Sequence, residues 1–407
     1  MTGDILFLAH RLPYPPDRGD KIRSHHVLKA LAKLAPVHVG CLAENETDLA
    51  NENALSHDAR SWCMPRRSTF LPKSGLEALA RGEPVSLAAF RSRELQDWVR
   101  RTLHRESIGA IYVYSGQMGQ YVPRDWQGRL IADLVDVDSA KFEAYGKTGR
   151  GPRSWIDRRE ARLLRAVEAD LASRAEATLL VSEAEAGLLR RRAPGARNVR
   201  ALRNGIDCAL YDPDAVAAEK ALTAGGPHYV FTGQMDYAPN VEAVTRMARQ
   251  VMPALRRHLP AVQFHIVGRA PSAPVRALHG VEGTRVVGEV ADTRPWLAGA
   301  DAVVAPLAIA RGVQNKVLEA MAMARPVVLS PDAATGIDAR NGAHYLIADD
   351  DAAFVEHLRH LHAELRRAAA LGRDARRFVL EKMSWDAMLA DLPALLGMDK
   401  QGERNAA

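Results

Sequence analysis

The stretch "ARGVQNKVLEAMA", residues 310 to 322, places a lysine and a glutamate three positions apart, Lys316 and Glu319, beside an apolar stripe. Val313, Val317, Ala320, Met321 and Ala324 recur at helical spacing and form the face expected to be buried. With about 100° per residue, the two charged side chains lie about 60° apart along one edge of that face. The stretch follows the strand-like run "DAVVAP" (301 to 306) and the turn "LAIARG", so a helix is expected to begin near Val313. A helix start offers free N–H groups and a positive dipole end, which together favour an anion. Gly312 lets the chain approach a phosphate closely, and the N–H groups of Gly312, Val313, Gln314 and Asn315 would surround it. Lys316 adds a full positive charge for a diphosphate, and Arg311 is a second cation. Glu319, deeper in the helix, is placed to accept two hydrogen bonds from a ribose diol. An ordinary exposed Lys/Glu pair of this spacing is worth only a few tenths of a kcal/mol, so the pair needs support from the rest of the chain.

Outward from this stretch the chain repeats one alternation. Strand-like runs occur at "ILFLA" (5 to 9), "VHVGCL" (37 to 42), "AIYVY" (110 to 114), "RLIADLV" (129 to 135), "ATLLVS" (177 to 182) and "NVRAL" (198 to 202). Between them "SHHVLKALAKLA", "RELQDWVRRTLHR" and "RSWIDRREARLLRAVEADLASR" have helical spacing, the last with Ile156, Leu163, Val167 and Leu171 near one face. A second series runs through "HYVFTG" (228 to 233), "VQFHIVG" (262 to 268), "TRVVG" (284 to 288), "DAVVAP" and "RPVVLS" (325 to 330), with "PNVEAVTRMARQVMPALRRHL" as a helix. Such alternation predicts parallel sheets covered by helices. The turn-rich "RNGIDCALYDPD" between the series reads as an interdomain linker. The expected fold class is α/β, with two facing Rossmann-like, doubly wound domains and a ligand in the cleft outside the carboxyl ends of their strands.

Composition agrees with two folded domains. The 407 residues are 47% hydrophobic and 26% charged, close to the globular norm, and no short-period repeat interrupts them. The N-terminus has no basic segment before its short apolar run, and no apolar stretch is long enough to span a bilayer. Cys41, Cys63 and Cys208 are odd in number and far apart, which argues against a disulfide framework and a zinc site. A cytoplasmic location is the expectation. No P-loop and no dinucleotide fingerprint is present. The net charge of +6 is uneven, with 33 Lys and Arg against 26 Asp and Glu over residues 1 to 207 and 22 against 23 thereafter. This asymmetry suggests that the first half meets something anionic: a membrane surface, a phosphorylated lipid or nucleic acid.

The segment "NKVLEAMAMARPVVLS" resembles the donor-site signature of family-4 glycosyltransferases of the GT-B fold, where a glycine-containing loop leads into K-x-x-E-A-M-A-x-G-x-P-V-V. "LRNGIDCALYDP", "LLVSEAEAGLL", "FHIVGRAP" and "SWDAML" resemble the same family's linker, V-S turn, V-G-x-G strand end and C-terminal return helix, so the likeness runs along nearly the whole chain. The combination of "RLPYPPDRGDKIRSHHVLKAL", "DLVDVDS", "FTGQMDYAPNVEAV" and "GVQNKVLEAMA" more narrowly resembles sugar transferases of exopolysaccharide production in bacteria that use PEP-CTERM sorting. The resemblance implies an acceptor-side domain over 1–207, a nucleotide-sugar donor domain over 208–380, a helix over 381–398 returning towards the first domain, and a disordered tail over 399–407. It further implies retaining transfer of a sugar from a nucleotide-diphosphate sugar to an acceptor hydroxyl, with no cofactor and no metal required. In that setting the acceptor is a lipid-linked saccharide, and docking on an anionic inner-membrane surface would make the protein peripheral there; nucleic acid is not an expected partner. Arg66, Arg67, Lys73, Arg81, Arg91 and Arg93 are the basic contact region expected for such docking.

Departures from the family pattern narrow these expectations. Many members have a second glutamate separated by seven residues from the one at Glu319, at the position where this chain has Arg311. The family's basic pair after the first strand of the donor domain is replaced by Gly233-Gln234 and Asn240, which leaves Lys316 and Arg311 as the cations for a diphosphate. Near the N-terminus Gly19 occupies the place of the family's first glycine-rich loop, and Arg23 or His25 would face the acceptor, with His26 an equal alternative to His25. Asp136 and Asp138 of "DLVDVDS" are the candidates beside the transferred sugar, joining Lys316 and Glu319 as catalytic residues; Asp138 equally suits a helix cap. Two rival readings share the architecture: a nucleotide-sugar 2-epimerase, and a non-catalytic nucleotide-sugar-binding protein.

Overall fold

The computed structural model of the chain describes residues 3–67, 71–148, 151–310 and 312–398. They divide into two compact units, Met1–Asn204 with Met388–Ala407, and Gly205–Ala387. The first unit is built on a parallel sheet of seven strands, β1 (Asp4–Ala9), β2 (Val37–Gly40), β3 (Ser61–Cys63), β4 (Ile108–Tyr114), β5 (Arg129–Val135), β6 (Ala177–Leu180) and β7 (Val199–Ala201), in the order β3-β2-β1-β4-β5-β6-β7. The second has six parallel strands, β8 (His228–Thr232), β9 (Gln263–Val267), β10 (Thr284–Gly288), β11 (Ala302–Ala305), β12 (Val327–Leu329) and β13 (Leu346–Ile347), in the order β10-β9-β8-β11-β12-β13. Both sheets reverse their strand order beside their first strand, at β1/β4 and at β8/β11. Helices cover both faces, so the central strands are apolar throughout: Ile5, Leu6, Phe7, Leu8 and Ala9 are all fully buried. The edge strands β3 and β13 were not expected from periodicity, because three and two residues are too few to show it.

The long helix Pro152–Arg174 corrects an expectation. Ile156 is 49% exposed, and Glu160 and Glu168 are buried on the inward side instead. Each carboxylate satisfies the start of another helix. Glu160 accepts from Val85 N and Ser86 N, both at 2.8 Å, at the head of Val85–Ala89. Glu168 accepts from Ser139 N at 2.8 Å and Ser139 Oγ at 2.5 Å, at the head of Asp138–Thr148. Buried N–H groups at a helix start need acceptors, and a carboxylate also matches the dipole. Burial nevertheless pushes Glu168 up to about 7.

The helix expected over "PNVEAVTRMARQVMPALRRHL" is interrupted. Ala238–Arg246 passes through a wider π turn, Met247–Val251, into Met252–Arg256. Pro253 has no N–H for the ordinary bond to residue 249 and its ring would crowd that carbonyl, so the preceding turn widens.

Two histidines lie inside the second unit. His228 and His265 are 2% and 0% exposed, with His228 Nδ1 3.0 Å from His265 Nε2 and His228 Nε2 3.1 Å from Ala224 O. Burial, then the neighbouring His228 and Arg285, lowers His265 to about 4. From the ordinary histidine value of about 6.5 down to that value, the unfolded chain binds more protons than the folded one. The stability contributed by neutral His265 is therefore complete above that window and lost as pH falls through it. Urea titrations of wild type and His265→Gln between pH 7 and 4 should show the wild type losing up to about 3 kcal/mol more than the variant. Parallel losses would refute the assignment.

Candidate functional site

The second unit gathers its polar groups where the order of the sheet reverses. Gly233 directly follows β8, and an added Cβ would lie 2.9 Å from Asn240 Nδ2 and 3.0 Å from Lys316 Nζ, so any side chain here would displace these two polar ends. At the neighbouring end of β9, a Cβ on Gly268 would stand 1.7 Å from Gly233 O. Lys316 Nζ donates to Asn240 Oδ1 at 2.6 Å and rests 4.1 Å from the centre of the Phe231 ring. Asn240 in turn donates to Gln234 O at 2.9 Å, and Gln234 Oε1 accepts from Arg269 at 2.9 Å. Burial lowers Lys316 to about 8, with Glu319 opposing the shift in part. The sequence expectation had Asn240 as a lost charge, whereas in the fold it is the residue that orients the remaining one.

The helix carrying Lys316 and Glu319 spans Asn315–Ala322, not from near Val313. Gly312 has φ +69° and Gln314 is extended, so Gly312, Val313 and Gln314 are loop. Val317 N and Leu318 N both bond to Gln314 O, which leaves the N–H groups of Asn315 and Lys316 at the helix mouth. Val317, Ala320 and Met321 are fully buried, and Val313 is half-buried. Arg311 lies outside the described residues.

Glu319 is partly buried one turn into the helix, with the Tyr211 hydroxyl beside its carboxylate. Burial raises its pKa, while the Tyr211 hydroxyl and Lys316 hold it down. Tyr211 was not singled out from the sequence, since a tyrosine in a turn-rich linker carries no periodic signal. Arg376 fixes it: its guanidinium donates to Tyr211 O at 2.9 Å, to Asp212 Oδ1 at 3.1 Å and to Ala322 O at the end of the same helix. The linker is thereby tied to the helix whose carboxylate it contacts.

In the first unit, Gly19 begins the helix Gly19–Ala32, with Leu28 and Leu31 buried. Arg23 does not face an acceptor. It is 1% exposed, bonds Asp133 through Nε at 3.0 Å and Nη2 at 2.9 Å, and reaches Leu202 O and Asn204 Oδ1 at 2.7 and 3.0 Å. Tyr112 adds a bond to Asp133 at 2.9 Å. A charge this deep is retained because a carboxylate pairs with it and further acceptors take its remaining Nη1 hydrogens. His25 is half-buried against Tyr14, with ring centres 4.8 Å apart.

Asp136 and Asp138 follow β5, where Val135 adopts φ +68°, a strained value for a β-branched residue. Asp136 is exposed, and local desolvation, then Glu185 and Asp138, raises its pKa. Asp138 begins the helix Asp138–Thr148 and accepts from Gln117 Nε2 at 2.9 Å. His10, at the end of β1, had no sequence signal. Its ring stacks on Tyr114 with centres 5.6 Å apart, Nε2 is 3.4 Å from Asp20 Oδ2, and Nδ1 has no partner among the described residues.

Three arginines of the basic region expected around residues 66 to 93 are paired within the unit. Arg66 pairs with Glu46 at 2.6 Å, Arg67 lies 3.9 Å from the centre of the Phe90 ring and pairs with Glu44, and Arg91 pairs with Glu83. Arg81 and Arg93 are exposed, and the Lys73 side chain lies outside the described residues.

Residues 226–364, which hold Gly233, Asn240, Lys316 and Glu319, match the model of the family Glycosyl transferases group 1. No curated protein sequence is significantly similar to the chain. Among solved structures it is similar to Anabaena HepE in complex with UDP and glucose, at 15% identity and a TM-score of 0.60, with 97% of this chain and 99% of that one covered. Sucrose-phosphate synthase from Thermosynechococcus elongatus matches at 17% identity and 0.57 over 97% and 98%. A glycosyltransferase from Rickettsia africae matches at 13% and 0.57 over 98% and 99%. Residues 226–364 therefore form a glycosyltransferase group 1 domain, in a chain with the GT-B fold.

Proposed function

We propose that the protein is a retaining glycosyltransferase of the family-4 kind that moves a sugar from a nucleotide-diphosphate sugar to an acceptor hydroxyl. The acceptor in this reading is a lipid-linked saccharide of exopolysaccharide biosynthesis, met at the cytoplasmic face of a membrane. The observation that carries the donor half is the position of Lys316: its ammonium is held by Asn240 and Phe231 beside Gly233, where an added Cβ would displace it, at the reversal point of the sheet. A departing diphosphate develops negative charge, and an already oriented ammonium with the Asn315 and Lys316 N–H groups stabilises it without reorganisation. Lys316 thus takes the role that a divalent cation has elsewhere. Glu319, braced by Tyr211, is placed to grip the ribose diol. The complex of HepE with UDP and glucose supports a nucleotide sugar as donor class. The retaining course, the exopolysaccharide setting and the assignment of Asp136 and Asp138 to the sugar side rest on the motif resemblance.

Thermal-shift titrations with UDP, GDP, ADP and their sugars should identify one stabilising donor. Glu319→Ala is expected to weaken its binding about tenfold or more, since a hydrogen-bonded charge is lost. Lys316→Ala is expected to lower turnover about a hundredfold with a smaller effect on binding. Unchanged titration and turnover in both variants would remove this site from consideration. Sugar interconversion by the wild type without acceptor would make the protein an epimerase, and binding without release of nucleoside diphosphate in the presence of acceptor would make it a binding protein.

Titration of Lys316 gives a separate test. Its charge is present below about 8 and lost above, so affinity for the nucleoside diphosphate should fall as pH rises through that value. Lys316→Gln should abolish this dependence. An identical pH profile in the variant would show that another group is responsible.

A further inference from the structure

The first unit has an apolar patch that donor chemistry does not use. Among its described residues, the large apolar side chains left in solvent are Leu79, Tyr145, Trp155 and Ile156, with Trp155 60% exposed. They come from three helices linked through the first turns of Pro152–Arg174. Ser154 Oγ donates to Gly146 O at 2.8 Å, which brings Tyr145 and Trp155, the residues flanking that bond, to one junction. Gly146 packs there so closely that a Cβ would lie 2.7 Å from Arg158 Cγ. Arg159, one turn beyond Ile156, donates to Ala78 O at 3.2 Å and Glu83 O at 3.1 Å. Those bonds seat the helix Leu71–Arg81, and with it Leu79, against the same long helix.

The surroundings are cationic. Residues 141 to 165 contain eight Lys and Arg against three Asp and Glu, and Glu160 among the three is buried as a helix cap. Arg153, Arg158 and Arg162 are exposed around the apolar side chains. Exposed aromatic and aliphatic groups brought together from three linked helices mark a contact surface. A second copy of the chain would bring these cations against one another, which disfavours self-association as the partner.

We propose that this face docks on an anionic bilayer surface. Trp155 and Tyr145 suit the headgroup level, where an apolar ring and a polar tip are both accommodated. Leu79 and Ile156 enter the acyl boundary, and the arginines pair with lipid phosphates. No helix among the described residues is long and apolar enough to cross a membrane, so the attachment is peripheral in kind. The inference rests on the lipid-linked acceptor proposed above, and it centres the contact on the helices around Trp155, with Leu79 contributed from within the expected basic region.

The test is flotation of the full chain with vesicles of phosphatidylcholine alone and with vesicles that also contain phosphatidylglycerol. Binding is expected only to the second, weakening as salt rises. The double variant Trp155→Ser with Ile156→Ser, and separately Arg153→Glu with Arg162→Glu, should each lower the bound fraction about tenfold. Both pairs are exposed, so circular dichroism and the donor thermal shift should match wild type and show that the fold is intact. Undiminished flotation of both variants, absence of flotation by the wild type, or a dimer that the Trp155 variant dissociates would each overturn the proposal. Because donor binding is read in the same samples, flotation without any nucleotide binding would defeat the donor reading and leave this one standing.

Discussion

Burying parallel strands on both faces is the constraint from which the rest of this protein follows. Each strand must be reached by a crossover through a covering helix, so all strand ends of one kind open on one side, and the order reversal leaves a gap between the first strand and its later neighbour. In the second unit that gap lies at β8/β11, and there the chain places Gly233, Lys316 and Glu319. A charge in such a gap is half-desolvated by the sheet and helix around it. Lys316 is accordingly lowered to about 8, with Glu319 opposing the shift, and is held in place by Asn240 and the Phe231 face. A group that is costly to keep charged, and oriented before anything binds, stabilises an incoming anion more than a solvated lysine would.

The same constraint explains the buried charges that serve no ligand. Glu160 and Glu168 turn inward from one helix to close the starts of two others. Arg23 and Asp133 neutralise one another beneath the end of β5, with Tyr112 and two acceptors from residues 202 and 204 completing the set. These groups orient elements relative to each other within the first unit. Directional bonds of this sort specify one arrangement where apolar contacts alone would permit sliding.

How much of the site was legible depended on whether its signal was local. Lys316 and Glu319 were visible because both lie on one helix, and helical spacing converts sequence separation into direction. Tyr211 was not visible, because its link to Glu319 spans more than a hundred residues and is enforced by Arg376 from a third element. Arg23 was misplaced for the converse reason: a basic residue near a glycine turn reads as a ligand contact until the chain returns with Asp133 beneath it. Ile156 was assigned inward by apolar period alone, yet two glutamates with capping duties took that side of the helix.

By itself the sequence determined the α/β class, the two series of strands and the charged pair beside the helix stripe, because alternation and helical period are properties of neighbouring residues. Only the tertiary structure decided which acceptors neutralise Arg23, which side chain holds Glu319, that Asn240 orients Lys316, and that Trp155 and Leu79 share one surface. Those facts depend on where distant segments meet, and the free energy of a buried charge is set by all the groups around it rather than by its place in the chain.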